Sequence, residues 1–280
     1  MKIKVTTQAT ADLSPELLKE YNVSFLPFPI SLGDKEYVDG ENITPSDIYK
    51  FFDETGLLPK TAAPNPTVIR EFFEENLKGY DAIIHISISN ELSMVLANAK
   101  MAAEGLPVYI VDSRSLSTGI GLQVLYACDL AKQGLKPEEI QQKVQDRALS
   151  VQASFICGNL KFLYEGGRCS AAKAFMAHVL GIRPLIELND GRMGAGKKKF
   201  RGKMKIVLKE YVDHILENFN NYDKKRVFVT YTQMDQELVD MVVDMVKGKF
   251  DKVYAYEAGC TITSHCGKGT LGVLYFNSKE

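Results

Sequence analysis

The sequence predicts an α/β protein with an N-terminal three-layer domain built on a mainly parallel sheet and a smaller C-terminal domain with a mixed sheet. In the first half of the chain, strand-like apolar runs alternate with helical patterns, which is typical of parallel βαβ units. In the second half, the turn signal Asn189-Asp190-Gly191 between two runs indicates an antiparallel hairpin. With 280 residues, 45% of them apolar, the chain is long enough for two cores.

Helix starts in the first half are marked by capping side chains. Ser14, Thr44 and Asn65 each precede a proline, so each is predicted to cap a helix whose first residue is that proline. Strands and helices then alternate, because a β-branched run is followed twice by a longer helical pattern. These predicted elements are a strand at 81–89, a helix at 91–105, a strand at 107–113 and a helix at 118–134.

The second half changes character and supplies the second predicted domain. After the hairpin, apolar and aromatic runs surround one amphipathic helix, so parallel and antiparallel pairing are expected in one sheet. The predicted strands are 151–158, 225–232, 251–259 and 270–276, around a helix at 235–248. We therefore predict domains at residues 1–150 and 151–280, with a ligand site at their interface.

Composition excludes several classes of protein. Lys and Arg number 34 and Asp and Glu 35, so no net field attracts nucleic acid or anionic lipid. Five scattered cysteines without a C-x-x-C pattern indicate reduced thiols. The N-terminus lacks a signal-peptide core, and no apolar run approaches the ~20 residues that span a bilayer. The expectation is a soluble cytoplasmic protein with no membrane span and no nucleic-acid partner.

The segment GCTITSHCGKGTLG, residues 259–272, contains a formal G-x-G-x-x-G at Gly267, Gly269 and Gly272. A dinucleotide site needs a helix opening at the third glycine and an acidic residue ~20 positions later. Only eight residues follow Gly272, and they predict a final strand. The spacing does not fit a P-loop either. A nucleotide site is therefore excluded here.

Four interpretations of this segment remain open. Cys260, His265 and Cys266 would supply soft metal ligands, although structural zinc normally takes four. His265 with an adjacent cysteine would resemble a nucleophile pair, although neighbouring side chains point apart. The segment would also suit an ordinary turn with a solvated histidine. The last possibility is a glycine-rich turn that brings backbone N–H groups and His265 to an anion.

Hydroxyl and basic side chains elsewhere add candidate ligands. Thr61 lies in a proline-bounded loop before a helix, and Ser93 follows a strand at a junction where ligands gather in α/β sheets. Arg168 lies on a glycine turn, and residues 192–205 hold seven basic side chains. That basic segment suits a solvated hairpin, a docking face for an acidic partner, a phosphate contact or an RNA contact. No interleaved aromatic residues support the RNA alternative.

Eight segments follow one another over ~260 residues: TADL, TAAPNP, ISISNELS, VDSRSLSTGIGLQV, LKFLYEGGRCS, IRPLIELNDGRM, KFRGK and TSHCGKGTLG. In this order they resemble the DegV family of bacterial fatty-acid-binding proteins. The resemblance implies two α/β domains with a long-chain fatty acid, such as palmitate, buried between them and no other cofactor. It implies a non-catalytic lipid carrier, and some members present the acyl carboxylate to a separate fatty acid kinase subunit.

The resemblance also implies roles for individual residues. Thr61, Ser93 and His265 would contact the carboxylate, and Arg168 and Arg201 would lie on the side that faces the partner or the phosphotransfer. No metal ligand and no catalytic residue is implied. An acyl hydrolase or transferase using His265 with Ser93 or Cys266 is kept as the alternative function, and an RNA-binding protein as a third.

The sequence departs from the family pattern beside these positions. Gln8-Ala9 replaces Asp-Ser, Ala62 replaces the serine after Thr61, and Asn90, Met94 and Val95 alter the motif around Ser93. All three implied carboxylate contacts remain, so the departures bear on lipid preference and kinase coupling. Helical spacing makes residues 174–182 (AFMAHVLGI) a candidate wall of the acyl tunnel, or ordinary core.

Overall fold

A computed structural model describes residues 1–172 and 182–278. Residues 174–181 of the predicted tunnel wall lie outside the described residues. The helices are α1 (Pro15–Glu20), α2 (Pro45–Thr55), α3 (Pro66–Leu77), α4 (Val95–Ala102), α5 (Thr118–Lys132), α6 (Pro137–Arg147), α7 (Lys161–Glu165), α8 (Met204–Asn218), α9 (Gln236–Val246) and α10 (Cys260–Cys266). Short 3-10 turns cover Ala9–Ala11, Ala148–Ser150 and Ser170–Ala172.

The strands divide among three sheets. They are β1 (Ile3–Gln8), β2 (Ser24–Leu26), β3 (Pro29–Leu32), β4 (Lys35–Val38), β5 (Lys60–Thr61), β6 (Ala82–Ser87), β7 (Val108–Asp112), β8 (Val151–Gln152), β9 (Ser154–Ile156), β10 (Ile182–Asn189), β11 (Arg192–Arg201), β12 (Tyr222–Tyr231), β13 (Val253–Glu257) and β14 (Leu271–Asn277).

The first sheet is parallel and has the order β2-β1-β6-β7. Every residue of β6 is buried, as its isoleucine-rich run predicts. The pairs α3 with α4 and α5 with α6 pack on this sheet and give the predicted three layers. The sheet order reverses between β1 and β6, so the chain leaves these two strands in opposite directions. A crevice at their carboxyl ends is the usual ligand position in such a sheet.

The predicted helix starts are confirmed. Ser14 Oγ accepts a hydrogen bond from the N–H of Leu17, and Asn65 Oδ1 accepts one from the N–H of Val68. The third helix begins at Pro45 as predicted, but the Thr44 hydroxyl does not cap it, because it donates to the Asp47 carboxylate, which also accepts from the N–H of Thr44. Ser14 and Asn65 satisfy backbone donors that the first turn of a helix leaves without partners.

Thr61 lies in a short strand, so its predicted place in a loop is wrong. β5 pairs antiparallel with β3 and places Thr61 opposite Ile30. β3 also pairs with β4, which makes a small antiparallel sheet that the sequence patterns did not reveal. The backbone ladder therefore holds Thr61 in a fixed position beside β3.

The mixed sheet of the second half has the order β11-β10-β9-β14-β12-β13, and β8 pairs with β14. The predicted hairpin joins β10 and β11, with Asp190 and Gly191 both at positive φ, 50° and 78°. β12 is parallel to β13 and antiparallel to β14. The mixed character of this sheet is thereby confirmed.

Helix α5 lies between the parallel and mixed sheets and contacts strands of both. A close approach of the N-terminal segment to this helix requires Gly121, where a Cβ would fall 2.8 Å from Leu13 Cδ2. On the other side, Thr118 Oγ1 and Thr230 Oγ1 share a hydrogen bond of 2.6 Å. One core cluster includes residues from both halves, such as Ile86 and Ile262.

The strands of the parallel sheet all lie before residue 113, and those of the mixed sheet lie after residue 150. The division into residues 1–150 and 151–280 stays a prediction, because helix α10 packs against α2 and β5 of the first half. Among residues 1–172 and 182–278, none of the helices is long and apolar enough to cross a membrane.

Candidate functional site

A cavity of about 50 Å³ lies at the carboxyl ends of β1 and β6, where the order of the parallel sheet reverses. Helix α10 and Arg168 of the second half close its other side. Its lining is largely apolar but includes side chains able to donate hydrogen bonds. The lining residues are Thr10, Phe28, Thr61, Ala62, Ala63, Ile88, Leu92, Ser93, Leu116, Arg168, Met193, Thr261, Ile262, His265 and Cys266.

The cavity brings together four of the five residues singled out in the sequence. Thr61, Ser93 and His265 line it, and Arg168, which the resemblance placed on the partner side, lines it too. Arg201 lies elsewhere, exposed at the end of β11 and opposite Ile182 in the hairpin. The structure therefore separates the two arginines that the sequence analysis grouped.

His265 lies on helix α10, so its predicted place in a glycine-rich turn is wrong. The helix covers Cys260–Cys266, and the glycine turn begins only after it, with Gly267 and Gly269 at φ 65° and 75°. Gly267 has a second constraint, because a Cβ there would lie 2.6 Å from the ring of Phe162. The glycines therefore end the helix and let it pack closely on α7.

Three backbone N–H groups at the start of α10 are occupied by carboxylates of the first half of the chain. The carboxylate of Asp39 accepts from the N–H groups of Cys260 and Thr261, at 3.2 and 2.8 Å. Asp12 Oδ1 accepts from the N–H of Gly259 at 2.8 Å. Two carboxylates thus cap this helix N-terminus, which favours side chains for the recognition of an anion in the cavity.

The helical spacing of α10 sorts its side chains into two stripes. Thr261 and His265 are four residues apart and share one face, and Ile262 and Cys266 form the next. All four side chains line the cavity, but only Ile262 and Cys266 also line a second, smaller one. The helix therefore presents a polar stripe at one end of the site and an apolar stripe toward its interior.

The second cavity, of about 30 Å³, continues the first along the apolar stripe. Leu116, Ile262 and Cys266 line both cavities and separate them. Phe155 and Leu274 of the mixed sheet form part of its far wall. Together the cavities run from the hydroxyl and cationic side chains of the first cavity into the region between the parallel and mixed sheets.

Thr61 and His265 are joined by a hydrogen bond of 2.8 Å between Thr61 Oγ1 and His265 Nε2. His265 Nδ1 is buried with no hydrogen-bond partner among the described residues, and it packs on Gly166, where a Cβ would lie 2.8 Å away. A buried orphan N–H is rarer than an orphan acceptor, so we assign the proton to Nε2. The imidazole then donates to Thr61, whose own O–H is free to donate into the cavity.

Burial, with a smaller contribution from the positive charge of Arg168, lowers the pKa of His265 to about 3. The ring is therefore neutral at physiological pH. A neutral imidazole with one N–H suits the role of holding the Thr61 hydroxyl in place.

Arg168 is a half-buried cation beside this pair. Burial lowers its pKa, and its guanidinium donates to the carbonyl of Gly166 at 2.7 Å. None of the carboxylates in residues 1–172 and 182–278 forms an ion pair with it. A guanidinium is rarely fully buried without a partner, so a ligand that fills the cavity and covers Arg168 would be favoured if it carried an anionic group.

Ser93 completes the polar end of the cavity from the first half of the chain. It lies just before α4, and its Oγ accepts a hydrogen bond from the N–H of Val95 at 3.3 Å. This bond uses an oxygen lone pair, which leaves the Ser93 O–H to donate. Ser93, Thr61 and Arg168 therefore approach one volume from three different segments.

The structure places the departures from the family pattern at different distances from the site. Ala62 lines the cavity, so it offers a methyl group where the family pattern has a hydroxyl. Gln8 is buried and bonds Ser87 Oγ at 2.8 Å. Asn90 Oδ1 accepts from Arg114, Met94 is 68% exposed, and Val95 is buried in the core. Ala62 is thus the departure in direct contact with the candidate site.

Metal binding through Cys260, His265 and Cys266 has no support in the geometry. The Cys260 thiol donates to the carbonyl of Ile43, on another face of the helix from His265. The described residues contain no group of three or more His, Cys, Asp or Glu side chains arranged to hold a metal ion.

A nucleophile pair is likewise unsupported. His265 bonds Thr61 instead of Ser93 or Cys266, and burial raises the pKa of the Cys266 thiol well above its usual value. A thiol that stays protonated is a poor nucleophile. Among residues 1–172 and 182–278, no carboxylate or carbonyl bonds His265 Nδ1 to orient the ring as a catalytic base requires.

Sequence reasoning missed Thr261 as a site residue. Its spacing of four from His265 was a usable signal, but only for a helix, and the glycines nearby indicated a turn. Thr10 and Leu116 were also missed, because they reach the cavity through the sheet packing and not through a local pattern.

Fold and site together define a class of protein: an α/β protein that encloses a narrow apolar cavity between two sheets, with a cation and hydroxyl donors at one end. A family model described as "Uncharacterised protein, DegV family" matches residues 2–278. The chain belongs to the DegV family.

Relatives in this family match the chain over its whole length. The protein DegV of Bacillus subtilis is 26% identical over 281 residues, covering 98% of this chain and 99% of that protein. A DegV domain-containing protein of Caldanaerobacter subterraneus is 26% identical over 279 residues and covers 98% of each chain.

Solved structures agree with the fold. A DegV family protein from Thermus thermophilus, described by its fatty acid binding, is 28% identical with a TM-score of 0.91, covering 99% of this chain and 100% of that one. DegV from Bacillus subtilis, described as a fatty acid binding protein, has a TM-score of 0.84 at 24% identity, with coverage of 99% and 100%. At that identity the second match speaks to the fold alone.

Proposed function

We propose that the protein binds one long-chain fatty acid, such as palmitate, between its parallel and mixed sheets and acts as a non-catalytic lipid carrier. The observation that carries the proposal is Arg168, a half-buried guanidinium without a carboxylate partner among the described residues, at the polar end of an otherwise apolar cavity. The relative from Thermus thermophilus, with the same fold, is described as binding a fatty acid.

In this proposal the carboxylate lies at the polar end of the first cavity. Arg168 supplies the opposite charge, and the hydroxyls of Thr61 and Ser93 donate hydrogen bonds. His265 acts mainly through Thr61, because its N–H already donates to that hydroxyl. His265 is therefore a positioning residue, in addition to closing the cavity wall.

The acyl tail then extends past Leu116, Ile262 and Cys266 into the second cavity. A sixteen-carbon tail contributes on the order of 12 kcal/mol gross, at ~0.8 kcal/mol per buried methylene. Association and ordering offset several kcal/mol of this gain. The tail therefore sets the affinity, while the polar end sets the orientation.

Binding requires the wall between the cavities to move. The two cavities measure about 50 and 30 Å³, and ligand pockets commonly exceed roughly 300 Å³. Ile262 and Leu116 are branched aliphatic side chains that line both cavities, so rotamer changes there would open a continuous tunnel without breaking a side-chain hydrogen bond.

We further propose that the protein acts in the cytoplasm and presents the carboxylate to a separate fatty acid kinase subunit. All five cysteines are free thiols, which suits a reducing compartment. Exposed Arg201, outside the cavity, is the residue we assign to the partner-facing surface. In the coupled reaction the carboxylate oxygen would attack the γ-phosphate of ATP on the kinase, giving an acyl phosphate and ADP.

Lipid extraction tests the carrier function. The full chain is purified without detergent, and its organic extract is analysed by mass spectrometry. We expect a C14 to C18 fatty acid at near one equivalent per chain. A protein that yields no fatty acid and, after delipidation, does not take up palmitate contradicts the proposal.

The kinase role is tested separately by incubating the loaded protein with a purified fatty acid kinase, ATP and hydroxylamine, which traps an acyl phosphate as a hydroxamate. Hydroxamate that depends on this chain supports the role, and its loss in Arg201→Gln with retained lipid assigns that residue to the partner surface. A loaded protein that yields no hydroxamate with an active kinase contradicts the role and leaves the carrier function standing.

A further inference from the structure

Thr261 is a buried residue whose hydroxyl has no hydrogen-bond partner in the described part of the chain. The side chain is 5% exposed, it lines the first cavity, and its Oγ1 has no hydrogen-bond partner among the described residues. Buried hydroxyls are nearly always hydrogen-bonded, because burial removes the water that would otherwise bond them. The unsatisfied hydroxyl therefore points to a ligand.

Neighbouring hydroxyls on the same helix show how α10 satisfies such groups when it can. Thr263 Oγ1 donates to the carbonyl of Ala258 at 3.2 Å, and Ser264 Oγ donates to the carbonyl of Cys260 at 2.8 Å. Both bonds are made back to the preceding backbone, a common solution inside helices. The hydroxyl of Thr261 belongs to the same helix but makes no such bond among the described residues.

The position of Thr261 is fixed on two sides. Its backbone N–H donates to Asp39 at 2.8 Å, which anchors the first turn of α10 to the first half of the chain. Its side chain shares a helix face with His265, one turn away, whose Nε2 lies 2.8 Å from Thr61 Oγ1. Thr61 and Thr261 thus approach the polar end of the cavity from opposite chain halves.

We propose that the Thr261 hydroxyl is a further hydrogen-bond donor to the carboxylate of the bound fatty acid, an inference that rests on the proposed function. A carboxylate has about four acceptor sites, more than Arg168, Thr61 and Ser93 fill with one bond each. A neutral hydroxyl adds a bond without burying a second charge. Thr261 therefore helps the site to select a carboxylate over an uncharged head group.

The experiment compares Thr261→Val, which replaces the hydroxyl by a methyl group, with Thr261→Ser, which retains it. Palmitate is titrated into each delipidated full-length protein. We expect Thr261→Val to bind palmitate about 10-fold more weakly and Thr261→Ser within about 2-fold of the wild type. Thr261→Val should weaken the binding of hexadecanol, which lacks the carboxylate, less than it weakens the binding of palmitate.

Stability supplies the signature that a merely structural hydroxyl would not give. Without ligand, Thr261→Val should unfold at an equal or higher temperature, because the substitution removes an unsatisfied polar group. The matched control is Thr263→Val on the same helix, which should lower the unfolding temperature and leave palmitate affinity unchanged, since that hydroxyl bonds Ala258. If Thr261→Val does not fold, Thr261→Ala also lacks the hydroxyl and carries the same affinity expectation.

The outcomes separate this inference from the function on which it rests. Palmitate binding by the wild type with unchanged affinity in Thr261→Val overturns the role of Thr261 alone. An equal loss for palmitate and hexadecanol also overturns it, because the effect would then not involve the carboxylate. A wild type that does not bind palmitate overturns the proposed function itself.

Discussion

Two histidines, the buried His85 in the parallel sheet and the partly buried His265 at the cavity, differ in how many of their ring nitrogens have hydrogen-bond partners. His85 Nδ1 bonds Thr6 Oγ1 at 2.9 Å, and its Nε2 faces Gln8 Nε2 at 3.4 Å. His265 bonds Thr61 only, and its Nδ1 has no partner among the described residues. Burial lowers the pKa of each to about 3.

The difference separates structure from binding. The polar groups around His85 hydrogen-bond to one another inside the core, and these bonds stabilise the parallel sheet. Around His265, three groups that can still donate hydrogen bonds line one cavity. They are the half-buried guanidinium of Arg168, the hydroxyl of Thr61, and the hydroxyl of Thr261, which has no partner among the described residues. Unsatisfied groups at one place indicate what a ligand must supply.

The largest expected effect is on stability at His85. We expect His85→Leu to lower the free energy of unfolding by about 2–4 kcal/mol, because Thr6 and Gln8 lose their buried partner. His265→Leu should lower it by less than about 1 kcal/mol but weaken palmitate binding about 10-fold, and His265→Gln, which keeps an N–H donor, should recover part of that affinity. Urea denaturation and palmitate titration measure both. Equal stability losses at the two positions would remove the distinction.

Arg168 carries the next effect. We expect Arg168→Gln to weaken palmitate binding at least about 30-fold, since hydrogen bonds to charged groups contribute about 1.5–3 kcal/mol. Arg201→Gln is the control, because Arg201 is exposed and does not line the cavity. Titration of both delipidated variants checks this. Comparable losses in the two variants would place the carboxylate somewhere other than at Arg168.

A smaller effect is expected from the packing behind His265. In Gly166→Ala the new Cβ would lie 2.6 Å from the carbonyl oxygen of Phe162 and 2.8 Å from His265 Nδ1, so the ring must shift. Palmitate affinity should fall about 5-fold, by about 1 kcal/mol. Gly194→Ala is the control, with no atom within 4 Å of its added Cβ. If Gly166→Ala binds palmitate like Gly194→Ala, His265 does not need its present position.

The smallest expected effect concerns protonation, because neither His85 nor His265 should titrate near pH 6.5 in the folded protein. The pKa of both histidines lies near 3 in the folded protein and about 6.5 in the unfolded chain, so their NMR signals should stay constant from pH 8 to 5. The unfolded chain then takes up protons that the folded protein does not, and stability should fall as the pH drops from 6.5 toward 3. Palmitate should shift the signal of His265 and leave that of His85 in place. A midpoint near pH 6.5 at His265 would mean that its ring is hydrated.

Local patterns predicted the elements that have local causes. The capped helix starts at Ser14 and Asn65 and the hairpin at Gly191 follow from side chains within three residues of each boundary. β1 was missed because its buried positions include Lys4, Thr6 and Gln8, so it lacks an apolar run. Its polar side chains are satisfied only by tertiary partners.

Prediction of the site was limited in the same way. The residues Thr61, Ser93 and His265 were identified through the family resemblance, and the structure brings them to one cavity. Helix α10 was missed, because Thr-Ile-Thr-Ser has weak helix propensity and glycines flank it. Its stability comes from Asp12 and Asp39, which lie more than 200 residues away in the sequence. That Arg168 has no carboxylate partner among the described residues is likewise visible only in the folded chain.

A crystal structure of the protein with palmitate tests the central claim most directly. The account predicts a carboxylate oxygen within hydrogen-bond distance of both the Arg168 guanidinium and Thr61 Oγ1, with the acyl tail passing Ile262 toward Phe155. A fatty acid bound outside this cavity, or bound in the reverse direction with its carboxylate beside Phe155, would contradict it.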